Sequence, residues 1–428
     1  MGLLIKGGLV VDPSQNLEAP RDLLIDAGRV AAVEPPGVIA AEGCQIIEAQ
    51  NLVVSPGLID MHVHFREPGE EYKETIASGG RAAAGGGFTA VATMPNTQPV
   101  NDCAAVTNYI LDKARQAAGP RVYPVAAISQ GSRGEKLAEY GDLQEAGAVA
   151  LSDDGRPVMN AQLMRRALEY ARTFGMLIIS HCEDLHLSGS GAMHEGRVSF
   201  EMGLPGIPAA AEEVMVYRDL TLARLTLGRL HIAHVSTAGS VALIRQAKQQ
   251  GLPVTAETAA HYFSLTHEAV RGFDTNAKMY PPLRQTEDVA AIREGLADGT
   301  IDCIASDHAP HSSLEKEVEF ALAAKGIIGL ETSLGLTLKL VQDGVISLMA
   351  AIERLSTAPA RILGIPGGSL APGGPADVTL IDLKRPWLVD VHKFKSKSRN
   401  SPFQGWELPG RALMTMVGGE IIYSEGVY

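Results

Sequence analysis

The chain has 428 residues, of which 46% are hydrophobic and 20% charged, and its formal net charge is -12. That is a globular composition with enough apolar material for a large core, and its acidic balance argues against a nucleic-acid partner, because phosphate binding needs a basic face. No apolar run approaches the ~18 residues of a membrane span, and the opening MGLLIKGGLVVDPS is too short and glycine-broken for a secretory signal. Four cysteines (Cys44, Cys103, Cys182, Cys303) lack CxxC spacing and read as reduced, mostly buried thiols of a cytoplasmic protein.

In chain order, the first ~50 residues alternate as short strands and turns: LLIKGGLVV, DLLIDAGRVAAVEP and CQIIEAQNLVV. Similar material returns near the end as ADVTLIDL and ALMTMVGGEIIYSEG. Between them, eight apolar, β-branched runs recur: LVVSPGLIDMHVH, FTAVATMPN, RVYPVAAIS, AVALSDDG, MLIISHCE, LHIAHVS, PVTAETAAH and DCIASDHAPH. Helical stretches such as 160–175 and 239–251 follow them. Eightfold strand–helix alternation predicts an α/β fold, a (β/α)8 TIM-type barrel. The expected division is a barrel over 55–365 and a small β-sandwich domain built from 1–54 and 366–428. No internal repeat appears beyond this rhythm.

Nearly every run starts apolar and ends in reactive side chains. In such barrels the C-terminal strand ends form the active-site mouth, which would gather His62 and His64, Asn96, Asp153 and Asp154, His181, His234, His261 and Asp307. Alternating strand residues share a face, so His62 and His64 both aim inward, a pair suited to zinc or a similar ion. An isolated HxH is as well explained by two hydrogen-bonded core histidines; further ligand types at four other strand ends tip the balance toward metal. Of adjacent Asp153 and Asp154 only one can face in, and that carboxylate could bridge two ions. Asp307 could both ligate and shuttle a proton. Two such ions about 3.5–4 Å apart would hold a hydroxide and polarise a carbonyl.

The ordered set DMHVHFREPG, ATMPNTQP, SDDG, SHCED, AHVST, PPLR, SDHAPH and GIIGLET, with GSLAPGGPADVTLID and NSPFQGWELPGR near the end, resembles the class I dihydroorotases of the amidohydrolase superfamily over nearly the whole chain. The resemblance implies reversible cyclisation of N-carbamoyl-L-aspartate to L-dihydroorotate, a step of pyrimidine biosynthesis, by a metal-bridged hydroxide with Asp307 as general acid and base. It implies two Zn2+ per chain: His62, His64 and Asp307 on the first, His181 and His234 on the second, and Asp154, which directly precedes the glycine, as the bridge. Arg66 would grip the ring carboxylate with its guanidinium fork, helped by Asn96 and His311, with Tyr280, Lys325 and Gly326 also at the substrate. A homodimer is expected, and the family leaves a complex with aspartate transcarbamoylase open.

Two positions depart from the family pattern. Asparagine usually precedes PPLR, where this chain has Tyr280, and Lys325 stands where relatives tend to carry an apolar residue. Both touch the substrate side and spare the ligands. They keep a hydantoinase- or dihydropyrimidinase-like cyclic amidase as the alternative, with an inactive scaffold for aspartate transcarbamoylase as a second. His261 and His308 read as core or supporting residues, and His186, His194, His231, His267 and His392 lack ligand context. The segment 391–400 (VHKFKSKSRN) reads as a solvated basic stretch, and 311–326 as a mobile active-site loop.

Overall fold

The structure, a computed structural model, describes residues 2–426. All eight runs form parallel strands of one sheet: β1 (Leu58–Val63), β2 (Phe88–Thr93), β3 (Arg121–Ala126), β4 (Ala150–Ser152), β5 (Leu177–Ser180), β6 (Arg229–Ile232), β7 (Val254–Ala259) and β8 (Cys303–Ala305). Each strand pairs with the next in chain order. The ring closes where Val63 bridges His308 and the His64 amide donates to the His308 carbonyl at 2.9 Å. Helices cover the outside, so the strands are buried on both faces along most of their length. The helix Ala161–Thr173 shows the local logic. Asn160 caps it by accepting from the Gln162 and Leu163 amides, and Leu163, Met164, Ala167, Leu168 and Ala171 form its buried stripe.

The terminal segments meet in a second eight-stranded sheet. Its order runs from Glu420–Ser424 through Arg411–Val417, Val378–Asp382, Val53–Pro56, Leu3–Asp12 and Leu17–Asp26 to Arg29–Glu34, with Gln45–Glu48 added beside Leu3–Asp12. Leu3–Asp12 kinks at an irregularity between Ile5 and Gly8; its first half pairs with Gln45–Glu48 and its second with Val53–Pro56. The bend folds the sheet over its own core of Ile5, Val10, Leu23, Val378, Leu380, Met414 and Met416. The chain then crosses into the barrel at Gly57. A Cβ there would lie 2.1 Å from the Thr89 hydroxyl, so glycine alone lets β1 start against β2. Among the described residues, no helix is long and apolar enough to cross a membrane. Cys182 and Cys303 are buried, but Cys44 is only partly covered and Cys103 is exposed, so the thiols are less buried than expected.

Candidate active site

The C-terminal strand ends bring the six expected ligand side chains together, all buried. Asp154, just past β4, is the hub. Its Oδ1 lies 3.3 Å from His62 Nε2, 3.4 Å from His234 Nε2 and 3.5 Å from His181 Nδ1, and its Oδ2 lies 3.5 Å from His64 Nε2. Asp307 Oδ1 sits 3.1 Å from His64 Nε2 and 3.6 Å from His62 Nε2. Asp153 turns the other way, accepting from the Ser129 amide at 3.1 Å and from its hydroxyl. Two overlapping groups, His62–His64–Asp307 and His62–Asp154–His234, have ligand atoms close enough to share an ion. His181 joins the second through its Nδ1, 2.7 Å from His234 Nε2.

The donors fit metal binding. His62 Nε2, Asp154 Oδ1 and His234 Nδ1 are buried without a hydrogen-bond partner, an expensive arrangement unless something else satisfies part of the cluster. Three of the imidazoles have their other nitrogen committed outward: His62 Nδ1 to Glu257 Oε1 (2.6 Å), His64 Nδ1 to Asn96 Oδ1 (2.8 Å) and His181 Nε2 to Glu183 Oε2 (3.2 Å). Each outer partner accepts an N–H and so leaves the inner lone pair free, the usual way a protein presets a histidine ligand. The charges agree. Burial pushes Asp154 up, but the surrounding imidazoles, His62 foremost, hold it well below the ordinary carboxylate range. Burial likewise opposes, and His62 and His64 overcome, the ionisation of Asp307, which also ends below its ordinary value.

The backbone is strained to build this floor. His234, Asp307 and Arg66 all adopt positive φ (35°, 46° and 61°), a region costly for residues with a Cβ. The twist at Arg66 sends its side chain along the cleft wall, where Nε donates to the Pro310 carbonyl at 3.2 Å and Nη2 lies 3.5 Å from His311 Nε2. The cleft above the floor has a volume of about 260 Å³ and is lined by Arg66, Asn96, Tyr280, His311 and Lys325 along with the ligand cluster. Gly326 is beside it: a Cβ would sit 2.6 Å from the Ala309 carbonyl. The expected site residues thus converge, with the Asn96 oxygen spent on His64.

Two supporting residues, Glu257 and Asp60, carry no signal in the sequence. Glu257 on β7 braces His62 and faces His231 Nε2 at 3.4 Å, so His231 has a context after all. Asp60 on β1 accepts from the His62 and Ser306 amides and locks β1 to β8; burial raises its pKa to about 7. His261 is buried, and desolvation lowers its pKa to about 4. His308 lies 3.4 Å from Glu74, away from the cluster.

The segment 391–400 is not simply solvated. Ser396, Ser398 and Asn400 are buried between exposed Lys395, Lys397 and Arg399. Asn400 accepts from the His311 amide and donates to the Ala309 and Gly326 carbonyls, fixing the loop after β8. That loop, expected to be mobile, is tied further by Lys316, whose ammonium donates to Ala324 and Gly326 at 2.8 and 3.1 Å.

A (β/α)8 barrel with pooled histidines and carboxylates at its strand ends is the architecture of a metal-assisted hydrolase. Residues 51–240 match the Dihydro-orotase-like family model. The dihydroorotase of Syntrophus aciditrophicus is 55% identical, across 99% of this chain and 100% of that protein, and the dihydroorotase of Geobacter metallireducens is 57% identical, also across 99% and 100%. The L-hydantoinase (dihydropyrimidinase) from Arthrobacter aurescens shares the fold at a TM-score of 0.89 and 25% identity, covering 99% of this chain and 96% of that one. The dihydropyrimidinase from Brevibacillus agri does so at 0.86 and 23%, covering 99% and 95%. The chain belongs to the dihydroorotase family.

Proposed function

We propose that the protein is a zinc-dependent dihydroorotase of the class I type, interconverting N-carbamoyl-L-aspartate and L-dihydroorotate. The observation that carries this reading is a six-ligand floor continued, two residues beyond His64, by a buried guanidinium aimed along the same cleft. In this reading His62, His64 and Asp307 would hold one ion and His181 and His234 another, with Asp154 available to both. Residues 55–365 are read as the catalytic barrel and 1–54 with 366–428 as the accessory domain, with the first boundary moved to Gly57 because Val53–Pro56 pairs in the terminal sheet. Two divalent ions so held polarise a carbonyl oxygen and acidify water.

The chain's own groups do the rest. Arg66 binds the ring carboxylate through the N–H groups its Pro310 contact leaves over, with the Asn96 amide and His311 closing that wall. This orients the ring amide carbonyl toward the floor. Asp307, ionised and 3.1 Å from His64, takes the proton of the attacking water and delivers it to the departing ring nitrogen; ring closure reverses the transfer. Asp307→Asn is expected to retain metal while turnover falls about a thousandfold in both directions. Unchanged turnover would remove Asp307 from proton transfer.

Tyr280 favours one competing reading, a cyclic amidase acting on rings without a carboxylate. Assay against dihydroorotate and dihydrouracil separates the two, since activity confined to dihydrouracil would replace dihydroorotase with dihydropyrimidinase.

A further inference from the structure

The two residues that depart from the family pattern meet each other. Lys325 Nζ lies 3.2 Å from the centroid of the Tyr280 ring, in cation–π contact. The Tyr280 hydroxyl donates to the Gly191 carbonyl, so the ring is anchored at its far end and serves as a platform. Both side chains line the cleft that Arg66 and Asp307 line. Among the described residues, no hydrogen bond or ion pair engages the Lys325 ammonium. Glu183 is the acid whose charge it feels, and one oxygen of that carboxylate faces His181 at 3.2 Å. Lys325 is exposed at the cleft wall, and its ammonium, resting on the Tyr280 ring, has three donors that the protein leaves for solvent or a ligand.

Substrate chemistry names the acceptor. Dihydroorotate offers three: the ring carboxylate, the carbonyl that reacts, and the second carbonyl, which lies between the two ring nitrogens. Arg66 accounts for the first and the ligand floor for the second. We propose that Lys325, seated on Tyr280, is a specificity-determining residue that donates to this third acceptor, the ureide oxygen. The inference rests on the dihydroorotase reading. A donor-only ammonium selects a carbonyl at that position and rejects an amino group. The same oxygen persists in the carbamoyl group of the open substrate, so the bond is made equally before, during and after the reaction. Uniform binding of that kind appears in KM and leaves kcat largely alone.

Steady-state kinetics of Lys325→Met in both directions provides the test. KM for dihydroorotate and for carbamoyl-aspartate should each rise about tenfold, with kcat within about threefold and metal content unchanged, as expected for one lost charge-assisted hydrogen bond. Lys325→Arg should recover most of the loss. Tyr280→Leu should raise KM similarly, and the double variant should be little worse than either, because the pair acts as a unit. Unchanged KM in Lys325→Met overturns the proposal, as does a rise in one direction only or a fall in kcat at constant KM. Wild-type protein without turnover on either compound sinks the dihydroorotase reading instead, a separate result.

Discussion

Buried carboxylates occur both at the barrel mouth and in the terminal sheet, and they are handled in opposite ways. In the sheet, Asp12 accepts from the Ser14 and Leu370 amides at 2.9 and 2.7 Å, and Asp22 accepts from the Gly7 and Gly37 amides at 2.8 and 2.7 Å. Every contact there comes from an N–H or O–H of the chain, and Asp12 staples residues 358 apart. At the mouth, Asp154 and Asp307 instead face imidazole nitrogens at 3.1–3.6 Å, Asp307 on strained backbone, with a carboxylate oxygen and two ring nitrogens unpartnered. Self-satisfied acids hold a fold together. Acids whose satisfaction is incomplete within the chain mark where the molecule expects another charge.

This contrast can be broken experimentally. The largest effect should come from Asp154→Ala, which removes the oxygens common to the whole cluster. Bound metal, read by elemental analysis, should drop and turnover fall by roughly a thousandfold or more, while the thermal transition of the metal-free protein is not lowered. Glu257→Gln keeps the shape but weakens the acceptor that presets His62. Metal affinity, measured by competition with a chelator, should weaken by about 10–100-fold, and unaltered affinity would reduce Glu257 to a packing residue. Asp12→Ala is the mirror case. It strands the buried Leu370 amide and should cost about 2–3 kcal/mol in denaturant unfolding, with metal content and kcat of the folded fraction unchanged; a loss of metal there would erase the distinction between the two regions.

The smallest effect concerns pH. Burial, then the neighbouring Lys278 charge, lowers the Lys316 pKa to about 7. Between that value and the ordinary 10.5 the unfolded chain holds more protons than the folded one, so stability gains from this group as pH rises from about 7 toward 10. Lys316→Met should flatten that part of the stability–pH curve, and an unchanged slope would reassign the dependence to other groups.

How much of this was legible beforehand varies by residue. His62 and His64 announced themselves because strand alternation puts i and i+2 on one face, and ligand-type side chains at four other strand ends tipped the pair from core histidines toward metal. Asp154 was separable from Asp153 only through the family pattern; the structure supplies the physical reason, since the Ser129 amide and hydroxyl occupy Asp153. Glu257 was invisible: an acid within PVTAETAAH resembles any strand residue until β7 is folded beside β1. Asn400 was hidden for a related reason. The stretch KSKSRN looks solvated by composition, yet its alternation buries every second residue against the loop after β8. Tyr280 and Lys325 stood out as separate oddities, and nothing in the linear chain showed that one sits on the other.

The sequence by itself determined the barrel, its terminal sheet and the pool of ligand-type side chains at the strand ends, because periodicity and strand-end chemistry are local properties. Only the tertiary structure decided which partners tune those side chains and how the substrate wall is assembled. Those relations join residues tens to hundreds of positions apart, and distance along the chain says nothing about contact until β1 closes on β8.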